Sequence, residues 1–149
     1  MADAHTHHPL VPVERLVRAT NAHDLDAIVA CFAEDYRLEA PLHPQRSFQG
    51  SSQVRRNWSQ LLAAVPDLQA KLVRSAVGSD SVWTEWEMAG TRRDGVAHCM
   101  RGVFIFGIAN DRIQWGRMFL EPVDTAGGDM DKAVRDQLAG TAGKGGTKA

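Results

Sequence analysis

Residues 81–121 read SVWTEWEMAGTRRDGVAHCMRGVFIFGIANDRIQWGRMFLE. Three runs rich in β-branched and aromatic residues, roughly 81–91, 96–108 and 112–121, are parted by the turn signals Arg93-Asp94-Gly95 and Ala109-Asn110-Asp111. Strand side chains alternate between two faces, so parity sorts them. The even set holds Val82, Thr84, Trp86 and Met88, then Val96, His98, Met100, Gly102, Phe104 and Phe106, then Gln114, Gly116, Met118 and Leu120. The odd set holds Trp83, Glu85 and Glu87, then Ala97, Cys99, Arg101, Val103 and Ile105, then Ile113, Trp115, Arg117, Phe119 and Glu121. A three-residue loop at 109–111 pairs Met100 with Leu120 and Gly102 with Met118, even with even. A five-residue loop at 91–95 sets Glu85 opposite Arg101, a favourable cross-strand pair.

Outward from that core, the run 68–77 reads as a further strand, closed by Gly78-Ser79-Asp80. Three helices are expected before it. Val13, Leu16, Val17 and Thr20 recur at helical spacing until Asn21-Ala22-His23. Asp24 is the expected N-cap of a second helix with Leu25, Ile28, Val29 and Phe32 on one face, ended by Glu34-Asp35. Tyr36–Ala40 reads as a short strand. Gly50 opens a third helix through Val65, with Val54, Trp58, Leu61 and Val65 on one stripe and Arg55, Arg56 and Gln60 facing away; Pro66-Asp67 stops it. Helices followed by an antiparallel meander make an α+β layout.

The chain of 149 residues suits about one domain. Residues 1–11 read as a polar lead-in, 12–123 as the folded domain, and 124–149 as a short helix over Met130, Val134 and Leu138 followed by a disordered Gly-rich tail. Hydrophobic residues are 44% and charged ones 23%, with a net charge of -1, which withholds the electrostatic footprint of a general nucleic-acid binder. Two cysteines give no disulfide framework and no metal-type spacing, and neither a signal core nor an 18-residue apolar run occurs. The expectation is a cytoplasmic protein with no membrane partner.

The even face carries little charge and should turn toward the helices. It is either a filled core or the wall of a cavity made of flexible Met and Trp side chains, suited to an apolar ligand, with Gly102 leaving room. The odd face is too apolar to lie bare in water and too charged for a dry core. A homodimer through Trp83, Glu85, Arg101, Trp115, Arg117 and Phe119 accounts for both properties, and burial by the C-terminal segment is the alternative.

Three N-terminal helices, then Phe32-Ala33-Glu34-Asp35, Phe48-Gln49-Gly50, Val65-Pro66-Asp67 and a closing hairpin ending Gly116-Arg117-Met118-Phe119-Leu120-Glu121-Pro122-Val123 together resemble the SnoaL-like branch of the NTF2-like superfamily over about residues 12–123. The resemblance implies a cone of three N-terminal helices packed on a strongly curved, mainly antiparallel sheet, frequent dimerisation, and a pocket between sheet and helices. It implies no single activity, because the superfamily holds polyketide cyclases, ketosteroid isomerases, scytalone dehydratases, epoxide hydrolases and binding modules. Laid onto the limonene-epoxide hydrolase pattern, the three catalytic places fall on Trp86, Met88 and Met118, none of which can activate water.

Against that background His98 is the best acid/base candidate, because its parity turns it inward among Met and Trp. As a core histidine it would instead bond a backbone carbonyl. Glu39 is a candidate partner if it faces inward and a solvated group if Leu38 and Ala40 do; Tyr36 shares the parity of Leu38. Trp58, Trp86, Met88, Met100, Met118 and Leu120 are the expected substrate-binding residues, although Trp58 as plain core needs no ligand. His43 sits on a Pro-flanked loop, at the pocket rim or simply at the surface. Adjacent His98 and Cys99 point to opposite faces and form no dyad, and His5, His7 and His8 have no acidic partner, so no metal is expected. No phosphate-cradling Gly-rich loop precedes a helix. Two functions follow: a cofactor-free isomerase, cyclase or dehydratase in which His98 moves a proton, or a non-catalytic module that binds an apolar ligand or acts as a dimer.

Overall fold

Apolar alternation in the second half of the chain and helical stripes in the first produce two layers that share one core. The computed structural model describes residues 8–140. The expected disordered tail from residue 141, most of the expected lead-in, and His5 and His7 lie outside the described residues. Helix α1 (Val11–Asn21) opens with Pro12 in its first turn and buries Val13, Leu16 and Thr20, whose hydroxyl donates to the Leu16 carbonyl at 2.8 Å. It stops where His23 takes a left-handed φ of 54°. Asn21 then binds the edge of the sheet like a short strand: its amide accepts from the Ala70 N–H at 2.7 Å and donates to the Ala70 carbonyl at 3.0 Å.

Helix α2 (Leu25–Ala30) is capped by Asp24, which accepts from the Ala27 N–H at 3.0 Å. It ends earlier than its sequence pattern suggests. Phe32 belongs to strand β1 (Phe32–Glu39), and Glu34-Asp35 lie exposed within that strand rather than closing the helix. The physical reason is the pairing. β1 runs parallel to strand β6 (Arg112–Pro122), and Phe32 to Arg37 on β1 spans only Ile113 to Trp115 on β6, so the intervening charged pair bulges into solvent. After one 3-10 turn at Pro44–Arg46 come the two-residue strand β2 (Phe48–Gln49) and helix α3 (Ser51–Ala64), started by Gly50 at φ 100°.

The remaining strands are β3 (Gln69–Val77), β4 (Val82–Thr91) and β5 (Ala97–Ala109), in a six-stranded sheet of order β2-β1-β6-β5-β4-β3. Helix α4 (Met130–Ala139) has no buried residue. The result is an α+β fold with three N-terminal helices against a mainly antiparallel sheet, as the sequence predicts. No helix among the described residues is long and apolar enough to cross a membrane.

Two registers differ from expectation. Asn110 and Asp111, at φ 53° and 60°, form a two-residue turn that pairs Ala109 with Arg112. That turn alone would set odd residues opposite even ones. Gln114, an extra residue between the pairs Gly107–Trp115 and Ile108–Ile113, restores even with even two positions along, so Gly102 faces Leu120 and Phe104 faces Met118. On the other side, Thr91 pairs with Ala97, which makes the loop 92–96 and sets Arg101 opposite Glu87, not Glu85. Arg101 bonds Glu87 at 3.1 Å, and Glu85 pairs instead with Arg74 at 2.8 Å.

Gly102 also differs. At φ 150° a Cβ there would run into the Phe119 carbonyl oxygen, so this glycine permits close backbone approach instead of opening cavity space.

Candidate functional site

The even residues of β4, β5 and β6 form the concave face, and α3 lies over it. Val54 and Val65 at the two ends of the α3 stripe are buried, while Trp58 and Leu61 between them are only half-buried. Between α3 and this face lies a space bordered on the helix side by Val54, Trp58 and Leu61. That space is a cavity of about 210 Å³ with an almost wholly apolar lining.

Trp58, Trp86, Met88, Met100, Met118 and Leu120, the six residues the sequence assigns to substrate binding, all line it. Trp86 is held by a relay: its indole N–H donates to the Thr84 hydroxyl at 2.7 Å, which donates to the Phe104 carbonyl at 2.7 Å. Phe104 meets Trp86 edge-on at 6.0 Å and stacks on Phe106 at 5.1 Å, so this wall is built of interlocked rings.

The two acid/base candidates are placed apart. His98 lies on the cavity face of β5, opposite Gly90 and one inward position beyond the Met88–Met100 pair, but it does not belong to the lining. Its Nε2 is buried without a hydrogen-bond partner among the described residues, so the expected bond to a backbone carbonyl is not made there. Glu39 points away from the cavity because Leu38 and Ala40 are the buried neighbours. Its carboxylate is 3.6 Å from Arg117 on the outer face, in an open groove that also holds Arg37 and Trp115. His98 and Glu39 therefore stand on opposite faces of the sheet. His43 does not enter the cavity lining either; it bonds Glu121 at 2.8 Å and ties the 40–47 loop to the end of β6.

Tyr36, which the sequence sets on the same face as Leu38 without giving it a role, also belongs to the site. It is 3% exposed, lines the cavity, and its hydroxyl has no hydrogen-bond partner among the described residues. Burial pushes its phenol well above the ordinary range, so it is a neutral donor at any physiological pH. Phe32 packs edge-on against its ring at 4.8 Å and Phe48 lies at 6.0 Å. The signal is the alternation Tyr36, Leu38, Ala40, all three buried. Burial also raises the Cys31 thiol to about 11, against the opposing pull of Arg15 and Arg18. Among the described residues, no group of three or more His, Cys, Asp and Glu side chains could hold a metal ion.

The odd face carries Trp83 at 52% exposure, half-buried Val103, Trp115 and Phe119, and the pairs Arg74–Glu85, Arg101–Glu87 and Arg117–Glu39. Arg117 lies 6.0 Å over the Phe119 ring. The Trp115 indole lies against Gly107, where a Cβ would overlap it.

Residues 13–115 match the family model described as the SnoaL-like domain. No curated protein sequence matches the chain. Among solved structures, IdmH from Streptomyces antibioticus, a candidate polyketide cyclase, aligns with a TM-score of 0.67 at 19% identity, over 77% of this chain and 93% of that one. A Mycobacterium tuberculosis protein in complex with estradiol-17beta-hemisuccinate aligns at 0.65 and 18% identity, over 83% and 95%. A SnoaL-like protein of unknown function from Burkholderia thailandensis aligns at 0.56 and 24% identity, over 75% and 92%. At these identities the likeness is one of fold, the NTF2-like cone.

Proposed function

The chain belongs to the SnoaL-like domain family, and from that premise we propose that it binds a small hydrophobic molecule in the cavity beneath α3. The observation that carries this reading is the apolar space itself, about 210 Å³ and walled by residues that include Trp58, Trp86, Met88, Met100, Met118 and Leu120. The Met side chains let the walls adjust to a ring, and the tryptophans offer flat contact. A fold neighbour that holds an estradiol ester is consistent with an apolar ring as the guest. The two free cysteines suit a cytoplasmic setting.

Trp58 and Trp86 make the test direct. Titration with neutral one- and two-ring hydrocarbons should quench their fluorescence saturably, and Met118→Trp, which fills the space, should abolish the effect. Quenching that rises linearly without saturation, equally in both proteins, would dispose of the pocket.

A second reading adds catalysis. The buried, unpartnered Nε2 of His98 next to the cavity is the feature that favours it. The imidazole there would take a proton from a carbonyl-bearing guest in a cofactor-free isomerisation, cyclisation or dehydration. His98→Ala should then remove turnover and leave binding intact; unchanged turnover would leave a binding module. Homodimerisation through the odd face belongs to the same proposal, with Trp83, Glu85, Arg101, Trp115, Arg117 and Phe119 at the contact. Sedimentation of Trp83→Glu as a monomer, against a wild-type dimer, is the expected result, and a monomeric wild type would end that part.

A further inference from the structure

Granted the pocket reading above, we propose that Tyr36 selects the guest: its hydroxyl donates a hydrogen bond to a neutral acceptor at the buried end of a one- or two-ring ligand, making a ketone-bearing hydrocarbon the preferred class. The residue is 3% exposed and its ring is clamped by Phe32, yet its hydroxyl is bonded to nothing among the described residues. It lies over Gly116, where a Cβ would meet the hydroxyl at 2.5 Å, so the absence of a side chain at 116 makes its place. The hydroxyl opens on the cavity, so an acceptor on the ligand adds a hydrogen bond there, a gain of up to about tenfold in affinity.

The other polar groups of the lining are spoken for or peripheral. The Trp86 N–H is committed to Thr84, Asn57 is exposed with its Oδ1 accepting from Gln53, and Trp58 is only half-buried. The lining contains no Lys, Arg or His, so a carboxylate would enter without a counter-charge, a costly burial. Size narrows the class further. A dry cavity of about 150 Å³ holds benzene, and drug-sized ligands take about 300 Å³ or more. At about 210 Å³ the space lies between them.

The test uses 1-indanone, indane and indane-1-carboxylate with the wild type, Tyr36→Phe and Trp58→Phe, read by tryptophan quenching and by the infrared carbonyl stretch of bound indanone. Tyr36→Phe removes only an unpartnered oxygen, so it should melt no lower than the wild type. The expected result is about tenfold weaker indanone binding to Tyr36→Phe, a change of less than about twofold for indane, and a red-shifted carbonyl stretch that Tyr36→Phe abolishes. Trp58→Phe should weaken ketone and hydrocarbon alike and leave the stretch in place. If indane binds saturably but indanone gains nothing from Tyr36, the donor role is overturned and the pocket reading stands. Carboxylate binding as tight as that of the ketone overturns the neutral-ligand class. If no probe binds saturably, the pocket and the inference fall together.

Discussion

Thr84→Val tests whether the pocket wall is held by a hydrogen-bonded relay or by ring packing alone. Thr84 is 1% exposed and Trp86 2%, and valine has nearly the shape of threonine, so the change removes one oxygen and almost no volume. Two bonds go: the one from the Trp86 indole and the one to the Phe104 carbonyl, both 2.7 Å. The indole N–H becomes an unmet buried donor at about 1–3 kcal/mol, while the carbonyl loses a further bond of about 0.5–1.5 kcal/mol. A loss of about 2–3 kcal/mol is expected, a fall in melting temperature of about 5–10 °C for a chain of this size. Urea denaturation followed by far-ultraviolet circular dichroism measures it independently of the tryptophans. The decisive comparison is the same change in a Trp86→Phe background, where no indole is left to orphan. There Thr84→Val should cost only about 1 kcal/mol, an interaction energy of about 1–2 kcal/mol. Equal costs in the two backgrounds, or a cost below about 0.5 kcal/mol in the wild type, would refute the relay. A freed indole should also blur the cavity wall and weaken binding of any ring packed against it.

Two glycines with positive φ separate backbone preference from collision. Gly95→Ala, at φ 83° in open space, should lose about 1–2 kcal/mol, whereas Gly102→Ala, aimed at the Phe119 carbonyl, should lose more than about 3 kcal/mol or fail to fold; comparable losses would contradict the close approach of β5 and β6. Asn21→Ala strips both side-chain bonds from Ala70 at the sheet edge and should cost about 2 kcal/mol in urea denaturation, with faster amide exchange in β3; unchanged exchange would show that the edge holds itself. Burial raises the Cys31 thiol from 9.0 to about 11, so the unfolded chain releases that proton first as pH rises. Its contribution is complete below pH 9 and is lost toward pH 11, by about 2–3 kcal/mol, and Tyr36 acts in the same direction. Stability of Cys31→Ala should fall less over that window; parallel curves would show that the thiol is not what titrates.

The order of elements and the facing of β4, β5 and β6 were legible because alternation and helical stripes are local properties, written in which residues sit two, three or four apart. That locality is why the six residues expected to bind substrate fall within the cavity lining although the strand register was not known. Parity also survived an error: the turn at Asn110-Asp111 is one residue shorter than expected, and the Gln114 bulge compensates, so the even residues still face the helices. What was not legible depends on partners far along the chain. Whether Phe32 continues α2 or begins β1 is decided by pairing with Ile113, and the bulge at Glu34-Asp35 exists only because β1 must fit β6. Of the two orientations that the sequence left open for Tyr36–Ala40, the structure has Tyr36, Leu38 and Ala40 buried and Glu39 outward beside Arg117. His98 lies on the same face of β5 as Met100 but outside the cavity lining, a limit that parity does not encode. Sequence period gives a residue its face. Only packing between distant segments decides whether that face meets a helix, a neighbour or an open space.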